Sequence, residues 1–278
     1  MPKAPVNGIE LYYESTGEGF PLLLAHEFAG DFRSWEPQVR YFSRNYRVIT
    51  YNARGYPPSD VPADEDAYSQ EMAVEDLRGL LEHLGIDKAH IGGLSMGGSL
   101  ALNFGLTHPQ MAKSLIIAAA GSGSTNVDAW RDNVFESSRA MEEHGMAAMT
   151  DYSRGEARVQ LRRKDPRGYE EFSTQFHSHS GLGSALTFRG VQGKRPPVFA
   201  LEGQMRALTI PTLIMLGDED DPCVEPSIFM KRCIPTSGLV MFPQAGHAIN
   251  LEDPDLFNRS VQDFLTAVEL GKWARRET

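Results

Sequence analysis

Ile91-Gly92-Gly93-Leu94-Ser95-Met96-Gly97-Gly98 is the stretch on which the reading of this chain turns. It contains Gly93-x-Ser95-x-Gly97, a serine with a glycine two residues to either side, which is the nucleophile-elbow pattern. Lys88 to Ile91 reads as a short strand, and Ser99 to Leu106, rich in Leu and Ala, reads as a helix. A serine at so sharp a strand-to-helix turn sits in a strained backbone conformation. The glycines let the two elements approach without a Cβ clash. The hydroxyl is then held out from a sheet edge, over the free N–H groups of a helix N-terminus.

Working outward, apolar runs and helical periods alternate. Gly8 to Glu14 alternates in polarity and predicts an early strand of a hairpin closed near Gly17-Glu18-Gly19. Pro21 to Ala25 is a continuous apolar run, as a strand buried on both faces requires, and it delivers the loop His26-Glu27-Phe28-Ala29-Gly30-Asp31. Ser34 is the expected cap of a helix through Trp35, Val39, Tyr41 and Phe42. Tyr46 to Tyr51 reads as a strand followed by a turn-rich run, Asn52 to Asp60. Met72, Val74, Leu77, Leu80, Leu81 and Leu84 then keep a helical period up to Gly85.

Beyond the elbow helix, Ser114 to Ala118 is another strand, and at Gly121-Ser122-Gly123-Ser124 the rhythm breaks. Asn126 to Gln204 contains no strand signal and reads as helices rich in Arg, Glu, Met and Phe. The rhythm resumes with a strand at Thr212 to Leu216, a helix near Pro226 to Lys231, a strand at Gly238 to Phe242 and a helix from Pro254 to Val268. This alternation predicts an α/β protein, a mostly parallel sheet flanked by helices on both faces. The expected domains are a core of residues 1–121 and 207–278 and an inserted helical cap of residues 122–206. The tail, Lys272 to Thr278, is expected to fray.

The 278 residues suffice for one large α/β domain with an insertion, and 41% apolar with 23% charged residues is ordinary for a soluble globular chain. A net charge of −10 argues against a nucleic-acid partner, which needs a basic footprint. No apolar run approaches the ~20 residues of a membrane span, so no membrane partner is expected. Met1 to Pro5 lacks the apolar core of a secretory signal. Two cysteines, Cys223 and Cys233, are too few for a disulfide framework, so a reducing cytoplasm is the expected location, with a single bridge between them left open.

A serine hydroxyl near neutral pH needs an adjacent base, and the base needs an orienting acid. In an open parallel sheet such groups lie past the carboxyl ends of strands. Two loops are so placed: Gly217-Asp218-Glu219-Asp220-Asp221-Pro222, and Pro243-Gln244-Ala245-Gly246-His247. The first offers four acids and the second one histidine. His177-Ser178-His179 has no thiolate or third ligand beside it and reads as a surface turn, so no metal is expected.

On these residues the chain resembles the α/β-hydrolase fold family over nearly its whole length outside the insertion. Gly93-Leu94-Ser95-Met96-Gly97-Gly98 matches the elbow, Gly217-x-x-Asp220 the acid loop and Gly246-His247 the base loop. His26-Glu27-Phe28-Ala29-Gly30 resembles the His-Gly-x-x-Gly oxyanion loop, and Asn52-x-Arg54-Gly55-x-x-x-Ser59-Asp60 a structural turn of the family. The resemblance implies that Ser95 attacks a carbonyl, that His247 moves the proton, and that Asp220 orients His247. It implies an oxyanion held by the N–H groups of Met96 and Phe28, a bracing role for His26, and no metal or organic cofactor.

Glu27 stands where the family usually has Gly. A carboxylate turned into an oxyanion site would oppose catalysis by like-charge repulsion, so Glu27 is expected to point away, to Arg33 or Arg54, or else to contact substrate together with His26. Asn52 and Pro57 also depart from the family pattern, with only local consequences expected. The insertion would form a lid, and Trp130, Phe135, Met141, Met146, Met149, Phe172 and Phe176 point to a partly apolar pocket for a small-molecule substrate. Arg154, Arg158, Arg162, Arg163 and Arg167 read as a solvated helix face, with binding of a carboxylate as the alternative.

Ser95 weighs against the epoxide-hydrolase and haloalkane-dehalogenase branches, which carry Asp there. Leu94 weakens a carbon–carbon bond hydrolase, which usually carries Asn. The reading that follows is a carboxylic-ester hydrolase, with a lactone or enol-lactone hydrolase next. A cofactor-free dioxygenase and a receptor-like ligand-binding protein use the same fold and stay as alternatives. A homodimer is left open.

Overall fold

The computed structural model describes residues 2–156 and 158–276. Strands β1 (Lys3–Val6), β2 (Ile9–Thr16), β3 (Phe20–Ala25), β4 (Tyr46–Tyr51), β5 (Ala89–Leu94), β6 (Ala112–Ala118), β7 (Thr212–Gly217) and β8 (Ser237–Phe242) form one sheet. Its order is β1-β2-β4-β3-β5-β6-β7-β8. The pairings from β4 to β8 are parallel, and β1 and β2 add an antiparallel edge. Leu22, Leu23, Ile91, Ile117 and Ile214 on the central strands are fully buried, as continuous apolar runs covered on both faces should be.

Twelve α-helices accompany the strands among the described residues. The first three are α1 (Glu36–Phe42), α2 (Gln70–His83) and α3 (Met96–Thr107). Between β6 and β7 lie α4 (Val127–His144), α5 (Thr150–Arg154), α6 (Val159–Lys164), α7 (Pro166–His177), α8 (Gly181–Thr187) and α9 (Glu202–Ala207). The last three are α10 (Asp221–Cys233), α11 (Ile249–Glu252) and α12 (Pro254–Glu269). α2, α3 and α10 pack on one face of the sheet through Val74, Leu77, Leu100, Phe104 and Met230. α1 and α12 cover the other face through Phe42, Phe257, Val261 and Phe264. Burying each such side chain is worth about 1.5–3 kcal/mol, which commits the helix faces to the sheet. The side chain of Ser69 caps α2 by accepting from Met72 N–H at 3.0 Å. No helix is long and apolar enough to cross a membrane among the described residues.

Three local expectations are corrected. The hairpin is β1–β2, closed at Asn7-Gly8, and Gly17-Glu18-Gly19 instead turns the chain from β2 into β3, which pairs with β4. The hairpin turn needs positive φ at both residues, and Asn7 (+41°) and Gly8 (+78°) supply it. Ser34 does not cap α1: Asp31 caps a short 3-10 turn, Phe32–Trp35, that runs into α1, and Ser34 is the reciprocal member of that capping box. The tail is docked as far as Arg276. Trp273 packs edge-on against Phe264 at 4.7 Å and donates to Thr236 O at 2.7 Å. Glu277 and Thr278 lie outside the described residues.

The helices between β6 and β7 bury a cluster of their own, including Val134, Met141, Met146, Met149, Phe172, Phe176 and Phe188. That cluster packs on Phe28, Ala29, Tyr56 and Met96, which lie past the carboxyl ends of β3, β4 and β5. Phe135 faces solvent instead, 57% exposed. Residues 198–206, expected in the insertion, contribute Val198, Leu201 and Met205 to the sheet core.

Candidate active site

Ser95 follows β5 and precedes the first residue of α3, with φ +55° and ψ −108°. That is a left-handed, strained conformation for a residue with a side chain, and such strain concentrates at functional sites. The flanking glycines are required by contact. A Cβ on Gly93 would run into the backbone of Gly97, and one on Gly97 would run into the backbone of Ala25 and His26. The same closeness sets the loop after β3 beside the elbow. Ser95 N–H donates to Ala118 O at 2.8 Å, which ties the turn to the end of β6.

β7 and β8 end side by side, Gly217 opposite Phe242, so the loops that follow them meet. Gly217 is again forced, because a Cβ there would strike Ala245 and Gly246. The contact brings His247 to Asp220, with Nδ1 2.7 Å from Oδ2 and both side chains buried. Burial opposes the charged form of His247, but the Asp220 charge and hydrogen bond outweigh it, so its pKa lies above the ordinary histidine value. Burial likewise works to raise the Asp220 carboxyl, and the His247 contact pulls it below the usual carboxylate range. Asp218 and Glu219 on the same loop and Asp221 at the start of α10 are exposed, and Glu219 accepts from Gln160 at 2.8 Å.

In the loop after β3, His26 spends both ring nitrogens on backbone. Nδ1–H donates to Glu27 O at 2.7 Å and Nε2 accepts from Ala53 N–H at 3.0 Å. Burial lowers its pKa to about 4, so it is neutral and has no nitrogen left for a substrate. Glu27 O also takes the Gly30 N–H, at 3.1 Å, leaving the Phe28 N–H outside that turn. Met96 is the first residue of α3, so its N–H has no partner within the helix.

Glu27 contacts neither Arg33 nor Arg54. Arg33 pairs with Asp31 and Arg54 with Asp76. Glu27 is held by Arg158: Nη1 donates to Oε1 at 2.7 Å and Nη2 to Oε2, a bidentate pair with side chains 3% and 1% exposed. Arg158 is therefore no solvated-face residue, although Arg154, Arg162, Arg163 and Arg167 have exposed or part-exposed side chains. Its guanidinium lies over Phe172 and Tyr152, 5.0 and 5.6 Å from the ring centroids. Burial works to raise the Glu27 carboxyl, and the Arg158 charge and hydrogen bonds bring it below the usual range, so it is ionised. His247 and Asp220 lie within electrostatic reach of this pair.

Other groups were not legible in the sequence. Arg195 donates to Ser99 Oγ at 3.0 Å and Ser122 O at 2.9 Å, one helical turn behind Ser95, and desolvation lowers its pKa to about 10. His179 is not on a surface turn: its side chain is 4% exposed, with Nε2 3.4 Å from Asp31. Asp220, Cys223 and His247 place donor atoms within 4.8 Å of one another. They suit a metal poorly, because burial pushes the Cys223 thiol well up and His247 is committed to Asp220. Both cysteines are free. A cavity of about 30 Å³, room for roughly one water, lies behind the elbow between His26, Met96, Leu100, Gln70 and Val191.

Comparison with known proteins agrees with this geometry. The alpha/beta hydrolase fold profile matches residues 21–254. A 2-hydroxymuconate semialdehyde hydrolase of Pseudomonas putida is 29% identical over 273 residues, 91% of this chain and 89% of the relative. A 3-oxoadipate enol-lactonase of Acinetobacter baylyi is 27% identical, covering 89% of each chain. Among solved structures, a thermophilic esterase from Thermogutta terrifontis superposes with a TM-score of 0.84 at 27% identity, over 96% of this chain and 98% of the esterase. With a mostly parallel sheet in this order, a strained serine after β5 and a profile spanning most of its length, the chain belongs to the alpha/beta hydrolase fold family, and hydrolysis is the chemistry that membership supports.

Proposed function

We propose that the protein hydrolyses a small-molecule carboxylic ester through an acyl-enzyme on Ser95. The observation that carries this is the 2.7 Å contact between His247 Nδ1 and Asp220, which commits that nitrogen and leaves Nε2 for the serine. Ser95 Oγ attacks the ester carbonyl as His247 takes its proton. The N–H groups of Met96 and Phe28 receive the developing oxyanion, and removing one such donor typically costs ~3 kcal/mol in the barrier. Collapse of the tetrahedral intermediate breaks the ester C–O bond, with His247 returning the proton to the departing alcohol. Water, deprotonated by His247, then attacks the acyl-serine, releasing the acid and restoring Ser95. The lid reading of the helices between β6 and β7 is part of this proposal. Phe28, Met146, Phe172 and Phe188 near the site favour an apolar acyl or alcohol group.

Lactone hydrolysis is the second reading, favoured by likeness to the Acinetobacter baylyi enol-lactonase. The steps are the same, with the leaving alcohol tethered to the acyl group. The deciding experiment follows p-nitrophenyl butyrate hydrolysis by wild type and Ser95→Ala over many enzyme equivalents, then compares linear esters with lactones. Sustained release lost in the variant is expected. Equal release by both proteins would remove Ser95 from the chemistry, and a single stalled burst would favour a receptor-like protein.

A further inference from the structure

A buried carboxylate next to an expected oxyanion site is a liability that the ester-hydrolase reading leaves unexplained. Glu27 is the residue before Phe28, it is ionised, and His247 feels its charge. An unpaired Glu27 would repel the negative charge that develops on the substrate oxygen. Arg158 meets both of its oxygens, from 131 residues further along the chain. A bidentate guanidinium cancels the charge and also restricts where the carboxylate can lie.

The loop around Phe28 is anchored on two sides. From the sheet side, His26 and Gly30 hold the Glu27 carbonyl, and Tyr56 Oη donates to Phe28 O at 2.9 Å. From the insertion, Arg158 holds the Glu27 side chain. The Phe28 ring stacks on Phe188 at 4.6 Å and meets Tyr152 and Phe176 edge-on at 5.9 and 6.3 Å. Tyr152 is also one of the two rings under the Arg158 guanidinium. The residue expected to supply an oxyanion donor is thus clamped by the insertion through both its own side chain and that of its neighbour.

We propose that Arg158 is a positioning residue for the oxyanion site: from the insertion it neutralises Glu27 and sets the loop bearing the Phe28 N–H, so the site is competent only while the insertion is seated. This rests on the reading of Ser95 as nucleophile with Phe28 and Met96 as donors. Arg158 itself touches neither the reacting carbonyl nor the leaving group in this scheme. The seated insertion thus supplies the charge that cancels Glu27 beside the site.

The experiment measures kcat and KM for p-nitrophenyl butyrate in wild type, Ser95→Ala, Arg158→Met, Arg158→Lys and the double variant Glu27→Gln/Arg158→Met, each with a thermal melt. Arg158→Met is expected to lower kcat by about 100-fold, the scale of a lost oxyanion donor, with KM within about 3-fold. The double variant, in which neither member of the pair carries a charge, is expected to recover about 10-fold or more of that loss. Arg158→Lys keeps the charge without the fork and is expected to fall between wild type and Arg158→Met. An unchanged kcat in Arg158→Met would overturn the proposal, as would a double variant no faster than the single one, which marks a purely structural contact. If Arg158→Met does not fold, Arg158→Lys decides: wild-type kcat, or a KM that rises in step with a falling kcat, overturns the proposal. Release that is absent from wild type, or equal in Ser95→Ala, would overturn the serine reading and this inference with it. Ser95-dependent release with no effect at Arg158 would overturn the inference alone.

Discussion

Two buried arginine–carboxylate pairs look alike as contacts and differ in what they join. Arg54 and Asp76 meet through Nε to Oδ2 at 2.9 Å and Nη2 to Oδ1 at 2.8 Å, 22 residues apart, between the turn after β4 and helix α2. Arg158 and Glu27 meet in the same forked way, 131 residues apart, between the insertion and the loop after β3. At Asp76 burial wins and raises the carboxyl above its ordinary value despite Arg54. At Glu27 the guanidinium wins and the carboxyl falls. The first pair stitches the sheet domain to itself, with Asn7 as a third partner at 2.9 Å. The second has His247 and Asp220 in its field and Phe28 as its neighbour. Chemical type therefore says little about the purpose of a buried ion pair, and its position says a great deal.

The sharpest separation of chemistry from scaffold comes from Ser95→Ala, which is expected to lower ester turnover by on the order of 10⁴-fold or more while the melting transition stays within a few degrees of wild type. Next in size is Asp220→Asn, expected to lower kcat by roughly 10³ to 10⁴-fold because His247 loses both its charge partner and its tautomer constraint. The pH profile sharpens this. The neutral imidazole is the base and the folded pKa of His247 is raised, so kcat/KM should rise with pH through an inflection above the ordinary ~6.5. Asp220→Asn removes the largest contribution that opposes burial, and the inflection should move to lower pH.

Breaking the scaffold pair tests the comparison directly. Asp76→Ala leaves Arg54 buried and unpaired and is expected to destabilise by about 3–5 kcal/mol in denaturant melts, with the pH inflection of kcat/KM unmoved. A kcat loss in Asp76→Ala as large as that of Arg158→Met would break the distinction. The smallest effect is expected for Arg54→Met/Asp76→Leu, which removes both charges together and should lie within about 2 kcal/mol of wild type.

Much of the fold was legible along the chain. The apolar runs Pro21 to Ala25 and Tyr46 to Tyr51 are β3 and β4, and the period from Met72 to Leu84 is α2, with Gly85 at φ +66° where the reading stopped the helix. These signals are local, since a side-chain period or a turn residue is written within a few positions. Two of the corrected expectations were also local, where two turn signals competed. Gly17 and Gly19 do turn the chain, at φ +80° and +119°, but into a crossover and not a hairpin. Asp31 and Ser34 were both competent caps, and only the path of the short 3-10 turn selected Asp31.

At the site, the serine and its forced glycines at 93 and 97 could be read from residue type and spacing, because a close backbone approach leaves glycine in the sequence, whereas Asp220 was picked out of four acids by resemblance to the family. The partner of Glu27 could not be read this way. A carboxylate where a glycine was expected signals that a cation must answer it, yet the sequence pointed to Arg33 or Arg54, and Arg158 was grouped with the arginines of a solvated helix face. Sequence alone determined the fold class, the strand that presents the serine and the loops that face it, because periodicity and turn chemistry act within a few residues. Only the tertiary structure decided that Arg158 is drawn inside while the arginines around it stay at the surface: that choice depends on which guanidinium the packed insertion carries to the loop after β3, across 131 residues of chain.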